Sequence, residues 1–91
     1  MNYKLIYTDG YIKKATKFLK KYPELISQYE KTLKILEMNH EHPSLRLHPL
    51  RGKLRKLHSV SINISYRITL EFYFTGKEII LVNVGHHDFV Y

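Results

Sequence analysis

The clearest pattern in this chain is a strict alternation of apolar and polar side chains between residues 59 and 70. A period of two residues is typical of a β-strand with one face against a core and the other open to solvent. The apolar set is Val60, Ile62, Ile64, Tyr66, Ile68 and Leu70, and the polar set is Ser59, Ser61, Asn63, Ser65, Arg67 and Thr69. Strands average only about 5–6 residues and asparagine suits turns. We therefore predict two strands, Lys53–Ile62 and Tyr66–Phe74, joined by a turn at Asn63–Ser65.

Two amphipathic helices precede this segment. Apolar residues recur every three or four positions over Tyr11–Tyr22, which predicts a helix with an N-cap at Thr8 or Asp9. Pro23 occupies the first position of a second predicted helix, which continues to about Asn39. Because the break between them is so short, the two helices should form an antiparallel hairpin. The apolar stripe of the first helix consists of Tyr11, Ile12, Ala15, Phe18, Leu19 and Tyr22.

Short strands complete a sheet at both ends of the chain. Residues 2–8 predict a first strand, and Glu78–Val84, with its apolar run, predicts a central strand buried on both faces. Residues 40–52 contain two prolines and a glycine and predict a loop. The order β-α-α-β-β-β predicts an α+β fold, with a helical hairpin packed on a small, mostly antiparallel sheet. With 91 residues, we expect 1–91 to form a single domain.

Positive charge is concentrated in the same part of the chain. Fifteen lysines and arginines against eight carboxylates give a formal net charge of +7. Residues 45–70 contain no carboxylate and six of the cations: Arg46, Arg51, Lys53, Arg55, Lys56 and Arg67. Lys13, Lys17 and Lys21 add a cationic stripe to the first helix. Such a surface favours a polyanionic partner, either nucleic acid or an acidic protein.

The composition argues against several kinds of site. Without cysteine there are no disulfides or thiolate metal sites, and we expect a cytoplasmic protein. No apolar run is long enough for a membrane span, so we expect no membrane partner. Apart from the weak group His40-Glu41-His42, the histidines lack the spacing of a zinc site, and we expect no metal and no cofactor. A serine hydrolase is disfavoured because no GxSxG motif is present.

A metal-free ribonuclease fits the side chains better. Cleavage of RNA through its own 2′-hydroxyl needs a base, an acid for the leaving 5′-oxygen and a cation for the phosphate. Histidine and arginine suit these roles, and His48, Arg67 and His87 can converge at one end of the predicted sheet. Simpler alternatives are open as well. His48 and His87 can be a solvated loop residue and a strand cap, and Arg67 can pair with Glu71 or Asp88.

Three segments resemble a known protein family. His48–Gly52 (HPLRG), Tyr66–Ile68 (YRI) and Val84–Tyr91 (VGHHDFVY), together with the order of elements, resemble the RelE/ParE superfamily of toxins. The nearest branch is the YafQ-like (RelE/StbE) one, with its HPL-basic-Gly loop and Gly-Thr-His ending. The resemblance implies the toxin of a type II toxin–antitoxin system, a ribosome-dependent messenger-RNA endonuclease (mRNA interferase) that inhibits translation. It also implies a cognate antitoxin, in a toxin–antitoxin hetero-oligomer, with the ribosome and messenger RNA as further partners.

The resemblance also implies roles for individual residues. His48 matches the family's loop histidine, and His87 matches the histidine of its ending, treated there as the main acid–base residue. Arg67 matches the arginine of the strand motif, and Tyr91 takes the place of an aromatic residue near the chain end. These four are the implied catalytic residues. The candidate RNA-binding residues are Arg51, Lys53, Arg55, Lys56 and His58.

The sequence departs from the family pattern at several positions. This chain has Asn83 where the family pattern has an arginine, and His86 where it has a threonine. Ser61 and Ser65 stand where the best-known member has a histidine and an aspartate in its middle strands. These departures leave open either weaker catalysis or compensation by Lys53, Lys56 or His58.

Two other functions are compatible with the same architecture, because a fold does not fix an activity. One is a ParE-like poison of DNA gyrase, and the other is a catalytically weak module that binds antitoxin. The pair His48 and His87 favours the nuclease, since a gyrase poison needs no such pair. An antitoxin segment is expected to cover either the lysine stripe of the first helix or the groove around Arg67.

Overall fold

The computed structural model describes residues 2–50, 57–73 and 75–86. In chain order the elements are β1 (Lys4–Tyr7), α1 (Asp9–Lys21), a 3-10 turn (Pro23–Leu25), α2 (Ile26–Met38), a second 3-10 turn (Pro43–Leu45), β2 (His48–Pro49), β3 (His58–Ser61), β4 (Tyr66–Tyr73) and β5 (Glu78–His86). The first helix and the turn between β3 and β4 lie where the sequence predicts them. The predicted second helix begins at Pro23, but Pro23–Leu25 form a 3-10 turn and α2 begins at Ile26. Among the described residues, no helix is long and apolar enough to cross a membrane.

The strands form one five-stranded sheet in the order β1-β5-β4-β3-β2. β1 runs parallel to β5, and the other neighbouring pairs are antiparallel. The predicted α+β architecture with a mostly antiparallel sheet is therefore confirmed. β5 lies between β1 and β4, as predicted, but only one of its faces is fully buried. Ile79 and Leu81 are core residues, whereas Ile80 and Val82 are half-buried.

The structure adds a strand that the sequence does not predict. Within the expected loop, His48 and Pro49 form β2 at the edge of the sheet, opposite Ser59 and His58. A two-residue strand is too short to show alternation. Proline also argues against a strand, except at an edge, where its missing N–H interrupts no ladder. Just beyond the strand, the backbone N–H of Leu50 donates to the carbonyl of residue 57 at 2.9 Å.

The first helix begins at Asp9, directly after Thr8, one of the two predicted N-cap residues. Thr8 is its N-cap, because the Thr8 Oγ1 accepts a hydrogen bond from the Tyr11 backbone N–H at 3.1 Å. Asp9 therefore lies in the first turn, where a carboxylate suits the helix dipole. The Tyr11 hydroxyl in turn lies 2.6 Å from the Tyr29 hydroxyl of α2 in the core. Burial, reinforced by Tyr29, raises the pKa of Tyr11, so this link between the helices stays protonated.

The core lies between the helical hairpin and one face of the sheet. The most deeply buried apolar side chains are Tyr11, Leu36, Leu45, Val60, Ile68, Leu70, Ile79 and Leu81. Two residues of the predicted apolar sets lie outside it. Ile12 of α1 is 46% exposed, and Ile64 is 92% exposed at the tip of the β3–β4 turn.

Candidate functional site

The sheet face away from the core carries the polar half of the alternation. Ser59 lies opposite His48 on β2 and opposite Thr69 on β4, and Ser61 lies opposite Arg67. Residues paired across neighbouring strands share a face of the sheet. His48, Ser59 and Arg67 are therefore on the same side, which we call the polar face.

The Ser59 hydroxyl joins two larger side chains on this face. Its Oγ accepts a hydrogen bond from Arg67 Nε at 2.8 Å and lies 3.3 Å from His48 Nε2. Arg67 Nη2 also donates to the Arg46 carbonyl at 2.8 Å. Ser59 is 0% exposed, so its two hydrogen bonds are partly shielded from water, whereas the bond to the Arg46 carbonyl is exposed. These bonds fix the guanidinium and the imidazole relative to each other.

The contacts of His48 select one tautomer of its neutral ring. Its Nδ1 lies 3.2 Å from the Pro49 carbonyl, which can only accept, so Nδ1 carries the proton. Nε2 is then the acceptor, and the Ser59 hydroxyl donates to it while accepting from Arg67. A protonated ring would reverse this bond, with Nε2 donating to Ser59 Oγ. The protonation state of His48 is thereby linked to the hydrogen bonding of the whole group.

Arg46 supplies its carbonyl from an unusual backbone conformation. Its φ of 48° lies in the left-handed region, which costs a residue with a Cβ roughly 1–2 kcal/mol. Arg46 follows the 3-10 turn Pro43–Leu45, and Leu45 is 1% exposed. Burial of Leu45 and the hydrogen bond from Arg67 offset the cost, and the turn brings the carbonyl to the guanidinium.

This arrangement has the chemistry to hold a phosphate and to move a proton. A guanidinium has a planar fork that matches phosphate oxygens, and that of Arg67 is held by hydrogen bonds to the Ser59 Oγ and to the Arg46 carbonyl. An imidazole can accept or donate a proton near neutral pH, and His48 is exposed. The anchored guanidinium of Arg67 and the exposed imidazole of His48 therefore lie side by side.

His58 lies on the opposite side of the sheet from this group. It pairs with Leu70, and its ring packs edge-on against Phe72, with 5.1 Å between ring centroids. Burial, with a smaller contribution from His48, lowers the pKa of His58. Its Nδ1 is buried and has no hydrogen-bond partner among the described residues. The structure thus does not bring His58 to the face that carries Arg67.

In the described part of the chain, no group of three or more His, Asp or Glu side chains is placed to hold a metal ion. Two histidines of the weak sequence group have other contacts. His42 caps the second 3-10 turn, where its Nδ1 accepts from the Ser44 backbone N–H at 3.1 Å. His40 packs edge-on against Tyr3, with 4.9 Å between ring centroids.

Solved structures share this arrangement of helices and strands. A chain of the E. coli DinJ-YafQ toxin–antitoxin complex matches with a TM-score of 0.77 at 15% identity, over 100% of this chain and 99% of that chain. A YoeB/ParE toxin from Agrobacterium tumefaciens matches with a TM-score of 0.73 at 13% identity, over 92% of this chain and 98% of that chain. A chain of the RelBE2 toxin–antitoxin complex from Mycobacterium tuberculosis matches with a TM-score of 0.66 at 17% identity, over 96% of this chain and 100% of that chain. The chain has the RelE/ParE toxin fold.

The resemblance predicted from three short segments is thus confirmed for the fold, and YafQ structures are among those matched. No known family profile and no curated protein matches the sequence. At these identities the likeness establishes the fold and leaves the activity to the site itself.

On the RelE/ParE fold, two of the four implied catalytic residues come together. His48 and Arg67 share the Ser59 hydroxyl. Outside the described residues lie His87 and Tyr91, together with the RNA-binding candidates Arg51, Lys53, Arg55 and Lys56. Their roles stay predictions.

Three positions where the sequence departs from the YafQ-like pattern make local contacts. The Ser61 hydroxyl donates to the Asn63 carbonyl at 2.6 Å. Asn63 Oδ1 in turn accepts from the Ser65 backbone N–H at 2.8 Å. Asn83 Oδ1 accepts from the Val84 backbone N–H at 2.9 Å. Ser61 and Ser65 therefore help to build the β3–β4 turn.

Two parts of the site were missed in the sequence: the Ser59 hydroxyl and the Arg46 carbonyl. A signal for Ser59 was present, because a turn centred on Ile64 pairs residues at equal distances before and after it. Counting outward from that turn places Ser61 opposite Arg67 and Ser59 opposite Thr69, two pairs further on and on the same face, as observed. No sequence pattern marks the Arg46 carbonyl, since every residue has one.

Proposed function

We propose that this protein is the toxin of a type II toxin–antitoxin system and that it cleaves messenger RNA on the ribosome until a cognate antitoxin neutralises it. Three side chains carry this proposal: Arg67, Ser59 and His48, hydrogen-bonded on the polar face. The fold shared with chains of toxin–antitoxin complexes supports the toxin and its antitoxin partner. A formal net charge of +7 supports an RNA partner.

Arg67 is the proposed phosphate-binding residue. During cleavage the 2′-oxygen attacks the adjacent phosphorus and the bond from phosphorus to the 5′-oxygen breaks, so negative charge builds up on the non-bridging oxygens. A cation fixed beforehand stabilises that charge without reorganising during the reaction. Ser59 Oγ and the Arg46 carbonyl, both at 2.8 Å, hold the guanidinium in this way.

His48 and His87 are the proposed proton-transfer pair. One accepts the proton of the attacking 2′-hydroxyl, and the other donates a proton to the leaving 5′-oxygen. His48 is exposed beside Arg67. His87, with Tyr91 as a further participant, is assigned from the sequence resemblance alone. The proposed mechanism uses side chains only and calls on no cofactor.

The proposed partners follow from the charge distribution. Arg51, Lys53, Arg55 and Lys56 are the proposed contacts to ribosomal or messenger RNA phosphates in the cytoplasm. A disordered acidic segment of the antitoxin would cover the polar face around Arg67 or the lysine stripe of α1 and so block RNA.

The first prediction tests Arg67 by expression in growing cells. Arg67→Ala should relieve growth arrest and lower cleavage of translated messenger RNA about 10²–10³-fold, the usual loss for one fixed donor to a developing anion. Arg67→Lys keeps the positive charge but loses the planar fork, so its cleavage rate should lie between those of the wild type and Arg67→Ala. Lys34→Ala, which removes one exposed charge from α2, is the matched control and should cleave as the wild type does. Cleavage is measured by mapping RNA ends inside coding regions.

The histidines extend the same experiment. His87→Ala should abolish cleavage and His48→Ala should weaken it, each within about 10²–10⁴-fold, with purification alongside the antitoxin unchanged. Melting temperatures of all variants separate lost folding from lost chemistry. Toxicity that survives the double substitution, with messenger RNA uncut and gyrase arrested, would instead identify a gyrase poison.

A further inference from the structure

A second surface feature lies on the helix side of the sheet. β1 pairs with only the first part of β5, Glu78–Leu81. Beyond Leu81, β5 is paired with β4 on one side, and on its other side none of the described strands pairs with it. α1 packs against β5. A cleft of about 480 Å³ opens along the border between them. Its walls include Lys14, Lys17 and Lys21 of α1 and the rings of Tyr22, Tyr66 and His86. We call it the α1–β5 cleft.

One wall of the α1–β5 cleft is cationic. Lys14, Lys17 and Lys21 are spaced three and four residues apart, so they follow one another along the same side of α1. All three are exposed, and none of the described residues that line the cleft is acidic. Like charges at this spacing repel one another, and a bound anion would relieve the repulsion.

A second part of the lining is aromatic. The Tyr22 and Tyr66 rings lie 4.9 Å apart between centroids, and the Tyr66 and His86 rings lie 5.7 Å apart. Phe18 supports both tyrosines from the core side, at 5.2 and 5.3 Å. At the rim, Lys21 Nζ lies 5.5 Å from the centre of the Tyr22 ring. Cations beside a row of rings are the combination that binds single-stranded nucleic acid, since phosphates contact the cations and bases stack on the rings.

The α1–β5 cleft also adjoins the polar face. Tyr66 is the first residue of β4 and lines the cleft, and the next residue along the strand, Arg67, points to the other face. A strand of RNA with a phosphate at Arg67 needs only to pass the end of β4 to reach the cleft.

We propose that the α1–β5 cleft binds a nucleotide of single-stranded RNA beside the cleaved bond, with the phosphates on its two sides at Lys14 and Lys21 and its base on the Tyr22–Tyr66 wall. This second RNA site deepens the proposed endonuclease function and relies on it only for the identity of the strand. An acidic peptide would use the lysines but would leave the aromatic wall without a role, so RNA is the occupant that accounts for both walls.

The second prediction uses an uncleavable probe, a 2′-O-methyl RNA hexamer that carries 2-aminopurine, whose fluorescence falls on stacking. Lys14→Ala with Lys21→Ala should weaken binding at least about tenfold and lower the salt dependence, the slope of log affinity against log salt, by about 1.4, as expected when two phosphate contacts are lost. Lys13→Ala with Lys20→Ala is the matched control. It removes two charges from the same helix at the same seven-residue spacing, outside the cleft, and should bind nearly as the wild type does.

The aromatic wall is tested with the same probe. Tyr22→Phe should keep the fluorescence quenching and Tyr22→Leu should lose most of it. The proposal would be overturned if the two double lysine substitutions weakened probe binding equally, or if the fluorescence quenching survived Tyr22→Leu. A hexaglutamate peptide that binds more tightly than the RNA, and depends on Lys14 and Lys21, would assign the cleft to an acidic protein segment.

Because the probe cannot be cleaved, the two proposals fail separately. If the protein stacks the probe in the cleft but leaves messenger RNA uncut, only the proposed endonuclease activity is rejected. If the protein cleaves messenger RNA normally but the two double lysine substitutions weaken probe binding equally, only the proposed cleft site is rejected.

Discussion

Ser59 is among the smallest side chains of the candidate site, and it holds two of the largest. A buried hydroxyl with partners on both sides is stabilising, whereas an unpartnered one would cost about 1–3 kcal/mol. Here Arg67 Nε and His48 Nε2 are those partners. The position of the guanidinium therefore depends on a residue that need not touch RNA.

His58 illustrates the opposite situation, a histidine whose neutral form the fold favours. Burial lowers its pKa in the folded protein, below the value of about 6.5 expected in the unfolded chain. The unfolded chain therefore takes up the proton first as the pH falls. It follows that stability contributed by neutral His58 is present above about pH 6.5 and is lost progressively below it.

The third prediction compares the wild type with His58→Gln by urea unfolding from about pH 7.5 to 5. The wild type should lose roughly a few tenths of a kcal/mol relative to the variant over this range, since the ring is only partly shielded from water. Taking the difference between the two proteins cancels the titration of the carboxylates. Curves that stay parallel would show that His58 does not titrate differently in the folded state.

Among the elements, the turn between β3 and β4 sets the register of the polar face. Asn63 Oδ1 accepts from the backbone N–H groups of Ser65 and Tyr66, at 2.8 and 2.9 Å. The Ile62 backbone N–H donates to the Tyr66 carbonyl at 2.8 Å and closes the turn. A shift of one residue would exchange the two faces of β4 and take Arg67 away from Ser59.

The fourth prediction follows from those two hydrogen bonds. Asn63→Ala should lower the free energy of unfolding by about 1–2 kcal/mol, because each bond contributes about 0.5–1.5 kcal/mol. Asn63→Asp, which keeps the acceptor, should recover most of the loss. Ile64→Ala is the control at the turn tip, where the side chain is 92% exposed, and should change stability by less than about 0.5 kcal/mol. Equal effects at Asn63 and Ile64 in urea unfolding would contradict the role given to Asn63.

For the whole molecule, charge sets the range of partners. A net charge of +7 in 91 residues attracts polyanions at long range, and that attraction is screened by salt. The cations are not evenly distributed, since residues 42–70 contain no carboxylate. Binding to RNA should therefore depend on where a charge is removed as well as on how many are removed.

The fifth prediction measures ribosome binding between about 50 and 200 mM salt. Affinity of the wild type should fall steeply over this range. Lys53→Gln with Arg55→Gln should weaken binding and flatten the salt dependence, whereas Lys31→Gln with Lys34→Gln removes the same charge from α2 and should have a small effect. Binding that is independent of salt, or equal losses from both pairs, would rule out phosphate contacts by the basic segment.

The sequence by itself determined the local elements and the architecture. Apolar spacing fixed the two helices, period-two alternation fixed β4 and the turn at Asn63–Ser65, and the order of elements fixed an α+β fold. These properties depend on side chains close together in the chain, where periodicity and turn chemistry act directly. The sequence also predicted that His48, Arg67 and His87 converge at one end of the sheet; His48 and Arg67 share the Ser59 hydroxyl, and His87 lies outside the described residues.

Only the tertiary structure decided how distant segments meet. It added β2 at the sheet edge, placed His58 on the core side, and brought the Arg46 carbonyl and Ser59 to Arg67. It also formed the α1–β5 cleft, because β1 pairs with only part of β5. These features depend on register and on contacts between residues far apart in sequence, which no local pattern encodes.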